Sequence, residues 1–219
     1  MPMPPAANVV RLAAFIVLVL THAASAAERP TLLVTADTEG HLGPCAECPA
    51  GVGHGGMAKR ATLLADLRRQ HPDALLVDAG NALFGGDSAA SSGKVIAAAL
   101  DAAGYDAVNV SFRDFRAGRA DTLAALAGTK VPAVSCNVLD AATGAPLFKP
   151  FVVREVGGRK VAVIGVTDVP AGINVLPHLK RQLAGVRIDP PAAALGRALP
   201  NARAEAEQVV LLYYGSARG

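Results

Sequence analysis

Short apolar runs alternate with helical segments along most of this chain, and most of the runs end on a polar residue. That alternation restricts the fold more than any other feature. Residues 31–37, 74–78, 106–110 and 131–136 read as strands, being short, apolar and rich in β-branched side chains. Between them, residues 58–70, 94–103 and 121–127 read as helices. Ala61, Leu64, Ala65 and Arg68 mark one face of the first, and Gly104 stops the second. The pattern then changes. Residues 151–156 and 160–166 are apolar runs joined by Gly157-Gly158-Arg159, which predicts a β-hairpin. Residues 170–191 read as loop with a short helix. Residues 192–207 are helix-prone but interrupted by Pro200, and 209–213 form a last strand. The class that follows is α/β, with a mainly parallel sheet and an antiparallel part.

In such sheets functional groups gather at the carboxyl ends of strands. Those ends carry Asp37, Gly80-Asn81, residues 111–114, Cys136-Asn137 and Thr167-Asp168. Asp114 and Asp168 also suit plain turn formation. Gly55-Gly56, just before the first helix, predict positive φ or close backbone approach. Gly86 to Lys94 lacks the spacing and the Ser/Thr of a phosphate loop.

The N-terminus reads as a secretory signal. Arg11 precedes an apolar run, residues 12–20, shorter than the ~20 residues needed to cross a bilayer. Ala24-Ser25-Ala26 and Ser25-Ala26-Ala27 both fit the small-x-small cleavage pattern. The expectation is a signal peptide over residues 1–27 and a single domain over 28–219, periplasmic or secreted, with no membrane association after cleavage. The net charge of +3 is spread out, and aromatic residues make up only 4%, which argues against a nucleic-acid groove. The composition does not choose between a small-molecule and a protein partner.

The most unusual segment runs from Asp37 to His54. Cys45-x-x-Cys48 is flanked there by His41 and His54, a donor set suited to tetrahedral zinc or another divalent metal. The same pair suits a redox dithiol, and equally a disulfide stapling a Gly-rich loop in an oxidising compartment. Cys136 reads as a small buried residue at a strand end, or as a third ligand or resolving thiol for that loop.

Several pieces, taken in order, resemble a known family. They are the strand ending in Asp37, Gly55-Gly56-Met57-Ala58-Lys59-Arg60-Ala61-Thr62-Leu63, and Leu75-Leu76-Val77-Asp78-Ala79-Gly80. Gly104-Tyr105-Asp106-Ala107-Val108, Cys136-Asn137-Val138 and Ile164-Gly165-Val166-Thr167 continue the series. Together they resemble the N-terminal catalytic domain of the 5'-nucleotidase/UDP-sugar hydrolase group of metallophosphoesterases, over residues 31 to about 168. A weaker echo lies at 209–215. The resemblance implies a metallophosphoesterase-like layered α/β sandwich with mixed sheets, C-terminally truncated relative to the family. It also implies a pair of divalent metals roughly 3.5–4 Å apart that activate a water against a phosphoester.

The family's metal ligands are where the resemblance fails. Asp37 keeps its place, but Glu39 stands for the first His and Asn81 for the bridging Asp. Ser111-Phe112-Arg113-Asp114 replaces Gly-Asn-His-Glu, and Tyr213-Tyr214 replaces a later Ser-His pair. Two dications held close together need a shared anion, which a neutral amide does not supply. Arg113 adds a permanent positive charge where a histidine belongs. Ordinary two-metal hydrolysis is therefore not expected, since an inherited fold does not carry its function with it. The expected protein is an exported binding or redox/metal module acting through the Cys45–Cys48 loop. One rival is a hydrolase with Asp37, Glu39, His41 and Asn81 around a single metal. A second is a truncated paralogue with no activity of its own.

Overall fold

The computed structural model describes residues 30–44, 55–170 and 176–215. The predicted signal peptide, Cys45, Cys48 and His54 lie outside the described residues. The elements, in chain order, are β1 (Leu32–Thr35), α1 (Met57–Gln70), β2 (Leu75–Asp78), α2 (Lys94–Ala102), β3 (Ala107–Asn109), α3 (Arg119–Ala127), β4 (Ala133–Val134) and β5 (Val138–Asp140). Then follow β6 (Phe151–Val156), β7 (Arg159–Thr167), α4 (Pro177–Gln182), β8 (Val186–Ile188), α5 (Pro191–Glu205) and β9 (Gln208–Tyr214). Two short 3₁₀ helices, Gly86–Ser91 and Phe112–Phe115, follow β2 and β3.

The strands divide between two main sheets. β1-β2-β3-β4 form a parallel sheet in that order. β6 and β7 form the predicted hairpin, and β9 joins β7 in parallel. The two-residue period of a strand explains how these sheets stack. In β2, Leu76 packs with Leu64, Ile96 and Leu100 of the helices, while Leu75 and Val77 face the second sheet. In β7, Val161 and Val163 meet the first sheet, and Ala162, Ile164 and Val166 pack on Ala194, Ala198 and Ala202 of α5. The result is a helix–sheet–sheet–helix sandwich, whose central strands are apolar on both faces.

Gly165 sits where the sheets come closest. A Cβ there would stand 2.5 Å from the Val134 carbonyl oxygen and 2.6 Å from Asn109 Oδ1. Asn109 Nδ2 ties the layers together by donating to Ala79 O in one sheet's edge (2.9 Å) and Val166 O in the other (3.0 Å).

Two expectations are corrected. Pro200 does not interrupt the last helix: α5 runs through it from Pro191 to Glu205. Ala194, Ala198 and Ala202 keep the buried stripe, while Pro200 and Gly196, the residue whose carbonyl loses its donor, both lie on the exposed face where water can satisfy it. Residues 170–191 hold a strand as well as the expected short helix, because β8 pairs antiparallel with β5. Each of these strands has three residues, too few to show a period. No helix among the described residues is long and apolar enough to cross a membrane.

Candidate functional site

Pairing between the first two strands continues past their ends. Asp37 N–H donates to Gly80 O (3.1 Å), Glu39 N–H to Asn81 O (2.9 Å) and Gly40 N–H to Ala82 O (2.9 Å). The two segments reach this arrangement through left-handed backbone at Asp37 (φ 51°), Glu39 (φ 48°) and Asn81 (φ 59°). Such positions cost about 1 kcal/mol or more apiece for residues other than glycine. Their concentration at one sheet edge marks the place where the fold sacrifices stability.

That backbone turns three side chains toward one another. Buried Asn81 donates from Nδ2 to Asp37 Oδ1 (2.8 Å) and to Glu39 Oε1 (2.9 Å). From the end of β9, the Tyr214 hydroxyl donates to Asp37 Oδ1 (3.1 Å). Burial, and then the Asp37 charge, push the Tyr214 phenol up to about 12, so it keeps its proton and serves as a donor. The Arg116 guanidinium lies 3.6 Å from Glu39 Oε1 and donates to Phe84 O (3.1 Å). Phe112 packs edge-on against the Tyr214 ring at 5.9 Å, and exposed Arg113 lies 5.6 Å over the Phe112 ring.

Asp114 holds the floor of this edge. Its buried carboxylate accepts from the N–H groups of Asn81 (3.0 Å), Ala82 (2.8 Å), Leu83 (2.9 Å) and Ser111 (2.9 Å), and from Ser111 Oγ (2.7 Å). Ser111 and Asp114 form a reciprocal cap on the Phe112–Phe115 turn. Asp78, at the end of β2, has no exposure and is pushed up to about 7 by burial. The Thr35 hydroxyl (2.6 Å) and Gly80 N–H (2.9 Å) oppose that shift.

Asp37, Glu39 and Asn81 are thus brought together, but His41 and Cys136 are placed elsewhere. The His41 ring lies against the Gly86 turn, where a Cβ on Gly86 would stand 2.3 Å from Nδ1. Asp87 in that turn accepts from Leu42 and Gly43 N–H (2.9 and 3.0 Å), which lowers its pKa. Cys136 lines a cleft with Arg187 and Arg197, away from the Asp37 cluster, and burial pushes its thiol up to about 11. Cys45, Cys48 and His54 are not described, but the flanks of their loop meet. Met57 N–H donates to Leu42 O (2.9 Å), and a Cβ on Gly56 would stand 3.0 Å from Pro44 N. Gly55 (φ 75°) and Gly56 (φ 88°) carry the expected positive φ.

Sequence reasoning missed Arg116 and undervalued Asp114. The Ser111-x-x-Asp114 spacing was a readable cap signal. Arg116 offered none, because its partner Glu39 lies in a distant segment.

The donor chemistry decides whether the implied metal pair fits. The facing oxygens of Asp37 and Glu39 converge on one neutral amide that donates to both, and a guanidinium stands beside Glu39. Among the described residues no group of three or more His, Cys, Asp or Glu is arranged to hold a metal ion. These residues do not fit a two-metal centre.

No family model matches the chain. It is 32% identical over 109 residues to a 2',3'-cyclic-nucleotide 2'-phosphodiesterase/3'-nucleotidase from Yersinia enterocolitica, covering 46% of this chain and 17% of that protein. A snake venom 5'-nucleotidase from Gloydius brevicauda is 30% identical over 135 residues, covering 58% of this chain and 23% of its own. The chain therefore spans roughly a fifth of the length of these curated relatives. The solved structure of the calcineurin-like phosphoesterase YfkN from Bacillus subtilis superposes with a TM-score of 0.69 at 24% identity, covering 86% of this chain and 63% of that one. That likeness concerns the fold alone. Over the part of its length that these alignments cover, and at moderate identity, the chain is homologous to the 5'-nucleotidase group of metallophosphoesterases.

Proposed function

We propose that this chain is an exported protein that uses a metallophosphoesterase fold as a binding or redox/metal module, without ordinary two-metal phosphoester hydrolysis. The observation that carries this reading is the Asn81 side chain, whose single amide donates to both Asp37 and Glu39. A bridging carboxylate would add negative charge for two cations to share; an amide supplies hydrogen-bond donors instead. Tyr214 adds a hydrogen bond to Asp37 from a neutral phenol, and Arg116 sets one fixed positive charge beside Glu39. The module reading draws on Cys45 and Cys48, whose loop leaves at Pro44 and returns at Gly55, beside the segment that carries Asp37, Glu39 and His41. Export draws on the N-terminal apolar run and its Ala-Ser-Ala-Ala segment.

The deciding assay offers the purified protein a 5'-nucleotide and a cyclic nucleotide with Mn, Zn, Co or Mg. No appreciable turnover is expected. Robust metal-dependent turnover that disappears in Asp37→Ala would overturn the reading. Metal content and a free-thiol count then sort the loop: bound metal with free thiols makes it a ligand site, and no metal with one free thiol makes it a disulfide. Mass spectrometry of exported protein should find an N-terminus just after Ala26 or Ala27; an intact N-terminus counts against export.

A further inference from the structure

A cleft of about 450 Å³ opens between α5 and the β5–β8 pair, and none of its lining residues belongs to the Asp37 cluster. Its volume falls in the range of small-molecule sites, ~300–1,000 Å³. We propose that this cleft binds a small organic anion, with the acid group on Arg187 and Arg197 and the body on the apolar floor.

The charge arrangement supports the acid group. Arg187 on β8 and Arg197 on α5 share one carboxylate, Asp189: Arg187 Nε lies 3.1 Å from Oδ1 and Arg197 Nη2 lies 2.8 Å from Oδ2. Two guanidiniums against one carboxylate leave the trio with a net positive charge. Each guanidinium has five N–H donors and gives one of them to Asp189 in these bonds. Asp189 thus holds both guanidiniums at one carboxylate, and each keeps further N–H donors of the kind that bind a carboxylate or a phosphate. Asp189 is itself anchored, since its N–H donates to Asn137 O (2.9 Å) and its carbonyl accepts from Asn137 Nδ2 (2.9 Å).

The floor supports the organic body. Leu139, Pro146, Ala194 and Ala198 line the cleft, and the small side chains of α5 leave room above them. Cys136 lines it too and is 9% exposed. Burial raises its thiol, so it meets a ligand as a neutral, polarisable contact rather than as a nucleophile. A purely inorganic anion would leave this surface unused.

The test is calorimetric titration of the full chain with phenyl phosphate, benzoate and inorganic phosphate at constant ionic strength. At least one organic anion should bind saturably, and more tightly than inorganic phosphate. Whichever of phenyl phosphate and benzoate binds better assigns the acid group. Arg197→Ala and Arg187→Ala should each weaken binding about tenfold or more, whereas Arg113→Ala, at the other site, should leave it unchanged. In the wild type, the bound anion should slow phenylglyoxal modification of Arg187 and Arg197, read on their proteolytic peptides, so the proposal stays testable if an arginine variant misfolds. Absence of saturable binding, equal affinity for inorganic phosphate, loss of binding in Arg113→Ala, or no protection of Arg187 and Arg197 would each overturn it.

Discussion

Asp114 and Asp37 both lie at the carboxyl edge of the parallel sheet, and their surroundings are opposite in kind. Asp114 is buried and takes five hydrogen bonds, four of them from backbone N–H groups of two separate loops. Asp37 is exposed and takes its two side-chain bonds from other side chains, Asn81 and Tyr214. A carboxylate satisfied by the backbone is part of the framework, because removing it strands donors that cannot move to water. One satisfied by side chains on an exposed face is replaceable, because Asn81 keeps Glu39 as an acceptor and the partly exposed Tyr214 hydroxyl can turn to water. Asp78 stands between the two, fully buried with only a hydroxyl and one N–H for partners, and there the burial penalty wins.

The sharpest way to break this contrast is Asp114→Ala. It leaves the buried N–H groups of Ala82, Leu83 and Ser111 without their acceptor, at ~1–3 kcal/mol for each, whereas Asn81 N–H keeps Ser111 Oγ (3.0 Å). Urea unfolding should show a loss above about 4 kcal/mol, or no folded protein; a loss under about 1 kcal/mol would place Asp114 with Asp37 instead.

The intermediate case predicts a pH dependence. A carboxyl whose folded pKa is raised, here from 3.8 to about 7, binds its proton more tightly in the folded state. Its contribution to stability is therefore full below about pH 4, falls as pH rises toward 7, and is flat beyond. Asp78→Asn cannot ionise, so unfolding free energies measured from pH 4 to 7 should shift in its favour, by at most about 4 kcal/mol. A pH-independent difference between variant and wild type would show that Asp78 does not titrate in this window.

The smallest effect belongs to the exposed face. Tyr214→Phe removes one hydrogen bond to Asp37 and leaves the Asn81 bonds in place, so thermal or chemical unfolding should register about 1 kcal/mol or less. A larger loss would make the Asp37 cluster part of the framework after all.

Much of the architecture was legible in the chain because its signals are local. Strand–helix alternation, the Gly157-Gly158 hairpin, and Gly55-Gly56 with positive φ all follow from spacing and steric permission within a few residues. The homology to the nucleotidase group was likewise legible, since its pieces keep their order along the sequence. Less of the site was: Asp37, Glu39 and Asn81 come together through hydrogen bonds, whereas His41 turns to Gly86 and Cys136 lines a cleft beside α5.

What only the tertiary structure decided involves partners that no short window contains. The resemblance implied layered sheets, but which strands meet across the layers was hidden, because strands apolar on both faces do not reveal their neighbours. Passage of α5 through Pro200 depended on which face of the helix turned to solvent. The pairing of Glu39 with Arg116, the convergence of Asp37, Asn81 and Tyr214, and the sharing of Asp189 by Arg187 and Arg197 were settled last. Local sequence specifies backbone shape through sterics and periodicity, but charge pairing and burial depend on distances between segments, which exist only once the layers have packed.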